Sequence, residues 1–378
     1  MNLVPQLERW LPDMVALLEE SVNMDSPSTD KALTDRMIGW YAARCSEALQ
    51  ARVERVPNRQ YGDRLAVRVG NGPRQVLLVG HADTVWPAGE AKLRPFRIDG
   101  DRAFGPGVYD MKASLIQALF ALKLLQMTNR LPQQLSIVLL INSDEEIGSP
   151  TSRQWIESYA RKSEAAFVLE PPMEPHGAVK TARKGSGRFL LSLEGRSAHA
   201  GVNPEAGVSA VEEMARQIIR LHAWSEPSRG IYVNVGVVNG GIGANVIADR
   251  ATAEIDVRVQ TMDDFRHFAT RMNHLTPFHP EVRMSMTGDM NRPPMERTRQ
   301  IGRLFEIARA AAWDQLNMGL GETSTGGVSD GNFIAACGTP TLDGLGVRGD
   351  GAHSPSEYIW LTELPRRAAL LAGILERL

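Results

Sequence analysis

Leu135-Ser-Ile-Val-Leu-Leu-Ile141 runs directly into Asn142-Ser-Asp-Glu-Glu-Ile-Gly-Ser149. The first part is a short continuous apolar run, which reads as a strand buried on both faces. Gly148 and Pro150 then break the pattern. Three consecutive acids, Asp144, Glu145 and Glu146, therefore sit where a buried strand opens into a turn. Carboxylates beside a core are costly unless something positive pairs with them. A metal ion is one such partner, and adjacent glutamates can divide the work, one binding metal and the other moving protons. An exposed acidic turn is the alternative reading of the same three acids.

Outward from this strand, the chain alternates strands and helices. Leu65–Val69, Val76–Gly80 and Ala166–Leu169 read as further strands. Residues 7–22, about 31–47, 111–127 and 152–161 carry helical spacing, with Pro12 marking a kink or a start and the turn Ser26-Pro-Ser-Thr-Asp30 supplying an N-cap for the second helix. Such alternation predicts an α/β layer with a mostly parallel sheet flanked by helices. After about Lys184 the pattern changes. Strands at 188–193, 231–238, 252–259 and 282–287 enclose helices at 206–223 and 263–275, the βαββαβ order of a split-βαβ sandwich. The first pattern resumes after Arg292-Pro-Pro294. The expected organisation is a larger α/β domain of residues 1–183 and 294–378 with an inserted α+β domain of residues 184–293.

The length of 378 residues exceeds what one hydrophobic core usually serves. A hydrophobic fraction of 43%, a charged fraction of 23% and a net charge of −2 describe an ordinary soluble protein and give no reason to expect nucleic acid or membrane partners. Cys45 and Cys337 form no CxxC pair and read as core thiols in a reducing compartment. No apolar run approaches the ~20 residues that span a bilayer, and the start has no signal-peptide pattern. The expected location is the cytoplasm.

Five segments carry side chains of the metal-binding type. His81-Ala-Asp83-Thr follows the strand Val76–Gly80, and residues i and i+2 of an extended segment share a face. Asp110 precedes the apolar helix at 111–127 and reads either as its N-cap or as a rigidly held ligand. Glu146 lies in the acidic turn, Glu170 ends the strand before Pro171-Pro172, and His353 sits in a glycine-rich loop. In open α/β sheets, ligand sites lie outside the carboxyl ends of the strands. A mixed set of imidazoles and carboxylates favours zinc, with manganese or cobalt as substitutes. If Asp110 bridges, His81, Asp110, Glu146, Glu170 and His353 give each of two ions three ligands, the ions ~3.5–4 Å apart.

The chain resembles the di-zinc aminoacylase and glutamate-carboxypeptidase family, specifically its carboxypeptidase G-like branch. The resemblance rests on His81-Ala-Asp83-Thr, Gly107-Val-Tyr-Asp110-Met-Lys, Asp144-Glu-Glu146, Leu169-Glu170-Pro, Ser197-Ala-His199-Ala-Gly, Asp256-Val-Arg258 and His353-Ser, in the family's order. It implies that His81, Asp110 and Glu170 hold one zinc, and Asp110, Glu146 and His353 the other. Glu145 would be the general base and Asp83 would orient His81. The segment of about 184–293 would be a lid carrying homodimer contacts. From it, His199 would reach the partner subunit's site and, with Asn245, stabilise an oxyanion. Arg292 would grip the substrate carboxylate.

Each of these residues has a plainer reading. His199 could be a turn histidine, Asn245 a turn cap, Arg292 a surface residue, and Arg258 a structural partner of Asp256 or Glu254. Gly326 and Gly327 lie in a glycine-rich loop that lacks the lysine of a P-loop; the resemblance assigns them to the pocket floor. The expected activity is hydrolysis of an amide bond to a C-terminal amino acid with a free carboxylate, glutamate in the nearest branch. Arg258, Arg292, Lys180, Arg183 and Lys184 are candidates to meet a second carboxylate. N-acyl amino acid deacylases and dipeptidases of the same family are the alternative, and a non-catalytic metal- or peptide-binding relative is a further one.

Overall fold

The computed structural model describes residues 2–378. In chain order, the strands of its two principal sheets are β1 (Ala51–Val56), β2 (Arg64–Val69), β3 (Arg74–His81), β4 (Leu135–Asn142), β5 (Ala165–Val168), β6 (Gly185–Glu194), β7 (Tyr232–Gly240), β8 (Arg250–Val259), β9 (Arg283–Arg292) and β10 (Thr341–Leu342). By compactness the chain divides into two units. One comprises the described chain up to Thr181, then Arg297–Ser324 and Ser329–Leu378; the other comprises Ala182–Glu296 and Thr325–Val328.

The sheet of the first unit has the order β1-β2-β4-β3-β5-β10. The pairs β4/β3, β3/β5 and β5/β10 are parallel, and β2 runs antiparallel to both its neighbours. Every residue of β4 is buried, as an uninterrupted apolar run demands of a strand covered on both faces. Its register with β3 sets His81 opposite Asn142. The edge strand β1 is additional to the sequence expectation. Its Ala-Arg-Val-Glu-Arg-Val pattern leaves charges on a half-exposed edge, where they discourage further pairing. The helix Ala113–Met127 buries twelve of its fifteen residues, consistent with apolar side chains all round. The helices Leu11–Val22 and Glu363–Leu375 pack against it.

The second unit holds an antiparallel sheet, β7-β8-β6-β9, with the helices Ala210–His222 and Met262–Asn273 packed on it. In β6, Phe189, Leu191 and Leu193 point into this core and alternate with more exposed residues. Both helices start on a capping side chain: Ser209 Oγ accepts from Glu212 N, and Thr261 Oγ1 from Asp264 N, each at 3.1 Å. The first of them therefore begins at Ala210 and not at residue 206, where Pro204–Ala206 forms a separate 3₁₀ turn. The loop Thr325–Val328 groups with this unit. Its Thr325 O accepts from Lys184 N at 3.0 Å, its Gly326 O from Arg258 at 3.3 Å and its Gly327 O from Arg183 at 3.2 Å.

A small antiparallel sheet completes the first unit. Arg102–Phe104 pairs with Tyr358–Trp360, which pairs with Gly349–Asp350. It joins segments far apart in sequence, and the loop carrying His353 springs from it. No helix among the described residues is long and apolar enough to cross a membrane.

Candidate metal centre

The middle strand of three adjacent parallel strands ends in His81. Its neighbours β4 and β5 lead into Glu145-Glu146 and Glu170. Parallel direction puts all three strand ends on one edge of the sheet, which is why side chains remote in sequence converge. His81 Nε2 lies 3.2 Å from Asp110 Oδ1 and 3.6 Å from Glu170 Oε1. His353 Nε2 lies 3.4 Å from Asp110 Oδ2 and 3.2 Å from Glu146 Oε2. The Asp110 carboxylate thus turns one oxygen to each imidazole, and each imidazole has a second acid beside it. The ligand atoms of His81, Asp110 and Glu146 fall within 4.8 Å of one another, as do those of His81, Glu145 and Glu170.

Local structure holds each group in place. His81 is 2% exposed, and its Nδ1 is 3.0 Å from the backbone oxygen of Asp83. That contact leaves Nε2 facing the cluster. Asp83, fully buried, accepts from Ser28 Oγ at 2.7 Å, from Glu146 N at 3.1 Å and from Glu145 N at 3.3 Å. One carboxylate therefore ties the His81 loop to the acidic turn. Glu170 is held through its backbone oxygen, which accepts from Gly346 N at 2.9 Å. A Cβ at Gly346 would fall 2.5 Å from Leu169 O, so only glycine admits this approach. His353 is the exposed member, at 52%, and its φ of 61° lies in the left-handed region.

Asp110 does not cap the helix that follows it. Its φ of −119° and ψ of 93° are extended, the helix begins at Ala113, and the Asp110–Met111 peptide is cis. Its side chain is committed to the two histidines. Asp144 separates from the other two acids of its turn: Oδ2 accepts from Thr151 N at 2.8 Å, Thr151 Oγ1 at 2.6 Å and Ser152 N at 3.2 Å. It closes the turn and leaves Glu145 and Glu146 to the cluster.

The electrostatics call for a cation. Burial alone would depress the His81 imidazolium, yet contacts with Asp110, Asp83 and Glu170 hold its pKa well above the ordinary value. The Asp110 and Glu146 carboxylates raise His353 likewise. Burial would raise Asp110, but His353 and His81 hold it well below the usual carboxylate range. Glu146 is pushed up, chiefly by burial. Its Oε1 is buried with no hydrogen-bond partner among the described residues. Buried acids around paired imidazoles, with an oxygen lacking a donor, form a donor set that fits a divalent metal.

Of the other residues singled out in the sequence, Lys180 is buried in the first unit and the rest lie in the second. His199 is exposed and pairs through its backbone with Val246, and Ala200 N donates to Asn245 O at 2.9 Å, so the two loops are joined. Arg258 turns its guanidinium fork to Asp256, at 2.7 and 2.9 Å, and to the Gly326 carbonyl, as its structural reading anticipated. Arg292 is not a surface residue; it ends β9 and is buried. A Cβ at Gly326 would meet nothing within 4 Å, so crowding does not explain that glycine. Ser28 escaped the sequence reading. A lone serine in a Ser/Pro turn carries no signal of a partner 55 positions away. Tyr109, whose hydroxyl donates to Pro172 O at 3.4 Å, escaped it too.

The sheet and its cluster define a metal-dependent hydrolase built on an α/β layer. Residues 77–377 match the model of Peptidase family M20/M25/M40, and the chain belongs to that family. It is 29% identical over 319 residues to carboxypeptidase G2 of Pseudomonas sp. (strain RS-16), covering 83% of this chain and 76% of that protein. It is 26% identical over 385 residues to succinyl-diaminopimelate desuccinylase of Thioalkalivibrio sulfidiphilus (strain HL-EbGR7), covering 97% and 99% respectively. The crystal structure of aminopeptidase PepT from Bacillus cereus ATCC 10987 has the same fold, with a TM-score of 0.78 at 21% identity over 97% of this chain and 98% of that one.

Proposed function

We propose that the protein is a zinc-dependent hydrolase that cleaves the amide bond to a C-terminal amino acid bearing a free carboxylate, with glutamate the preferred residue. The observation that carries the metal part is the Asp110 carboxylate, set between His81 Nε2 and His353 Nε2 with one oxygen toward each. His81, Asp110 and Glu170 would hold one ion, and Asp110, Glu146 and His353 the second. When bound, the ions supply Lewis acidity to the scissile carbonyl and to the attacking water. Cobalt or manganese would substitute for zinc.

The chain's own residues do the rest. Glu145 takes the proton from the attacking water and delivers it to the leaving amine nitrogen. Asp83 fixes the His81 ring and the backbone of the acidic turn. His199 and Asn245 donate to the oxyanion that develops on the carbonyl oxygen, and Arg292 pairs with the substrate carboxylate. Gly326 and Gly327 present backbone groups on the pocket floor. Residues 184–293 act as the lid, and a second copy of the chain supplies His199. What supports a homodimer is the outer strand β7, an edge of its sheet with Val237 46% and Val238 48% exposed and Ile242 exposed beside it. The neutral composition and the two free cysteines support a cytoplasmic location.

The glutamate preference rests on the likeness to carboxypeptidase G2. The near full-length match to a desuccinylase supports N-acyl amino acid deacylation as the second reading. The deciding experiment measures amino acid release by the zinc-loaded protein from pteroylglutamate, N-acetyl-glutamate, other N-acetyl amino acids and a few dipeptides. Preferential release of glutamate is expected. Release of neutral amino acids alone would replace the glutamate preference with the deacylase or dipeptidase reading.

A further inference from the structure

The roles assigned above leave unused a buried acid whose partners lie on the loops of the cluster. Glu357 is 1% exposed and stands four residues beyond His353. Its Oε1 accepts from the indole Nε1–H of Trp86 at 3.0 Å, and from the backbone N–H of Gly107 in a shorter contact. Its own backbone N–H donates to Ser354 O at 3.0 Å. Trp86 follows His81 and Asp83 on one loop, Gly107 precedes Asp110 on another, and Ser354 adjoins His353 on a third. A single oxygen therefore fastens together three of the loops that bear the cluster.

The surroundings make this fastening stiff. Gly107 has a φ of 74°, and a Cβ there would fall 2.5 Å from Thr84 Cγ2 and 3.2 Å from Lys112 Cε. The Asp110 loop is thus pressed between the His81 loop and the Lys112 stem. Lys112 is itself buried, donates to Met24 O at 2.9 Å, and sets a positive charge near Glu357. On the outer side, the Arg94 guanidinium lies 4.1 Å from the Trp86 ring centroid and donates to Pro355 O at 2.9 Å. Two N–H donors converge on one carboxyl oxygen, which accepts both whether the carboxyl is charged or carries a proton on its other oxygen. In a dry site they also resist displacement by water.

We infer that Glu357 is a positioning residue: by joining Trp86, Gly107 and its own loop, it sets the spacing of His81, Asp110 and His353 and so the affinity of the metal centre. The inference rests on the metal-centre reading above. Glu357 binds neither metal nor substrate; it acts through the backbone of the Asp110 loop and the indole beyond Asp83. Removing it lets the three loops drift apart while each ligand side chain remains present.

The test titrates Co²⁺ into the full chain stripped of metal, following visible absorption and competition with a chromogenic chelator, and records thermal melting of the metal-free protein. Glu357→Ala should weaken Co²⁺ binding by about 10–100-fold, the usual effect of removing a group behind the ligands, and should alter the absorption envelope. Glu357→Gln keeps an accepting oxygen and should recover most of the affinity. Trp86→Phe removes one donor and should show an intermediate loss. A lower melting temperature with Co²⁺ affinity and spectrum unchanged would overturn the inference and leave Glu357 a structural residue only. Should Glu357→Ala fail to fold, unaltered affinity and spectrum in Trp86→Phe would overturn it equally. Failure of the unaltered chain to bind Co²⁺ would overturn the metal-centre reading and this inference with it. Tight binding by the unaltered chain and by Glu357→Ala alike would overturn this inference alone.

Discussion

Replacing Asp83 with alanine removes a group that no other side chain duplicates. The carboxylate is fully buried and accepts from Ser28 Oγ at 2.7 Å and Glu146 N at 3.1 Å, with a longer contact to Glu145 N at 3.3 Å. Hydrogen bonds to a charged acceptor contribute about 1.5–3 kcal/mol each, and the buried donors left behind retain their desolvation cost. Counting the two well-formed bonds, and allowing water to enter and restore part of the loss, gives about 3–5 kcal/mol. At ~2–4 °C per kcal/mol for a sizeable domain, the metal-free protein should melt about 6–20 °C lower. His81 also loses the group beside its Nδ1, so metal affinity should fall about 10–100-fold. Circular dichroism melting after chelator treatment reads the first effect, and chelator competition the second. Asp83→Asn, which keeps one accepting oxygen, should lie between the variant and the unaltered protein. A melting temperature and a metal affinity both unchanged in Asp83→Ala would show that Asp83 does not hold the turn and His81 together.

Further outcomes follow from the proposed roles, the homodimer among them, and from the packing. Glu145→Gln should lower turnover by about 10²–10⁴-fold while metal content, read by atomic absorption, stays as in the unaltered protein; near-normal turnover would remove Glu145 from the role of base. His199→Ala should be inactive alone but regain activity when refolded together with Glu145→Gln, because mixed dimers then contain one intact site; no recovery in a verified mixed dimer would place the action of His199 within its own chain. Phe167, buried in the middle of β5, should cost about 3–5 kcal/mol on truncation to alanine, read as a lower denaturation midpoint in urea; a midpoint within error of the original would mean the core closes over the gap.

The two layers of the fold were legible for one reason: their strands announce how they are covered. β4 is buried throughout and lies inside a sheet covered on both faces, whereas β6 alternates and faces one core. The short strands were not legible. Arg102–Phe104, Gly349–Asp350 and Tyr358–Trp360 have two or three residues each, too few for any period, and exist only because they pair with one another. In the site, residues at strand ends stood out because an acid or histidine after an apolar run is conspicuous. Ser28, Trp86 and Glu357 did not, since each acts through a partner distant in sequence and has no local pattern to betray it. Arg258 shows the converse. Its charge invited a substrate role, but Asp256, two residues away on the same strand face, takes the fork.

The pairing of Arg102–Phe104 with Tyr358–Trp360 also constrains how the chain is completed as it leaves the ribosome. Until the last strands and the helix Glu363–Leu375 emerge, the first unit lacks β10, His353, Glu357 and one cover of its central helix. The second unit draws nearly all its residues from one continuous stretch, Ala182–Glu296, and can close long before that. The second unit can therefore close before the first, although in a nascent chain the N-terminal part usually folds first. The earliest-made half of the protein waits longest for its last edge strand and for one cover of its central helix. That interval, more than the finished fold, is where dependence on chaperones and losses to aggregation should concentrate.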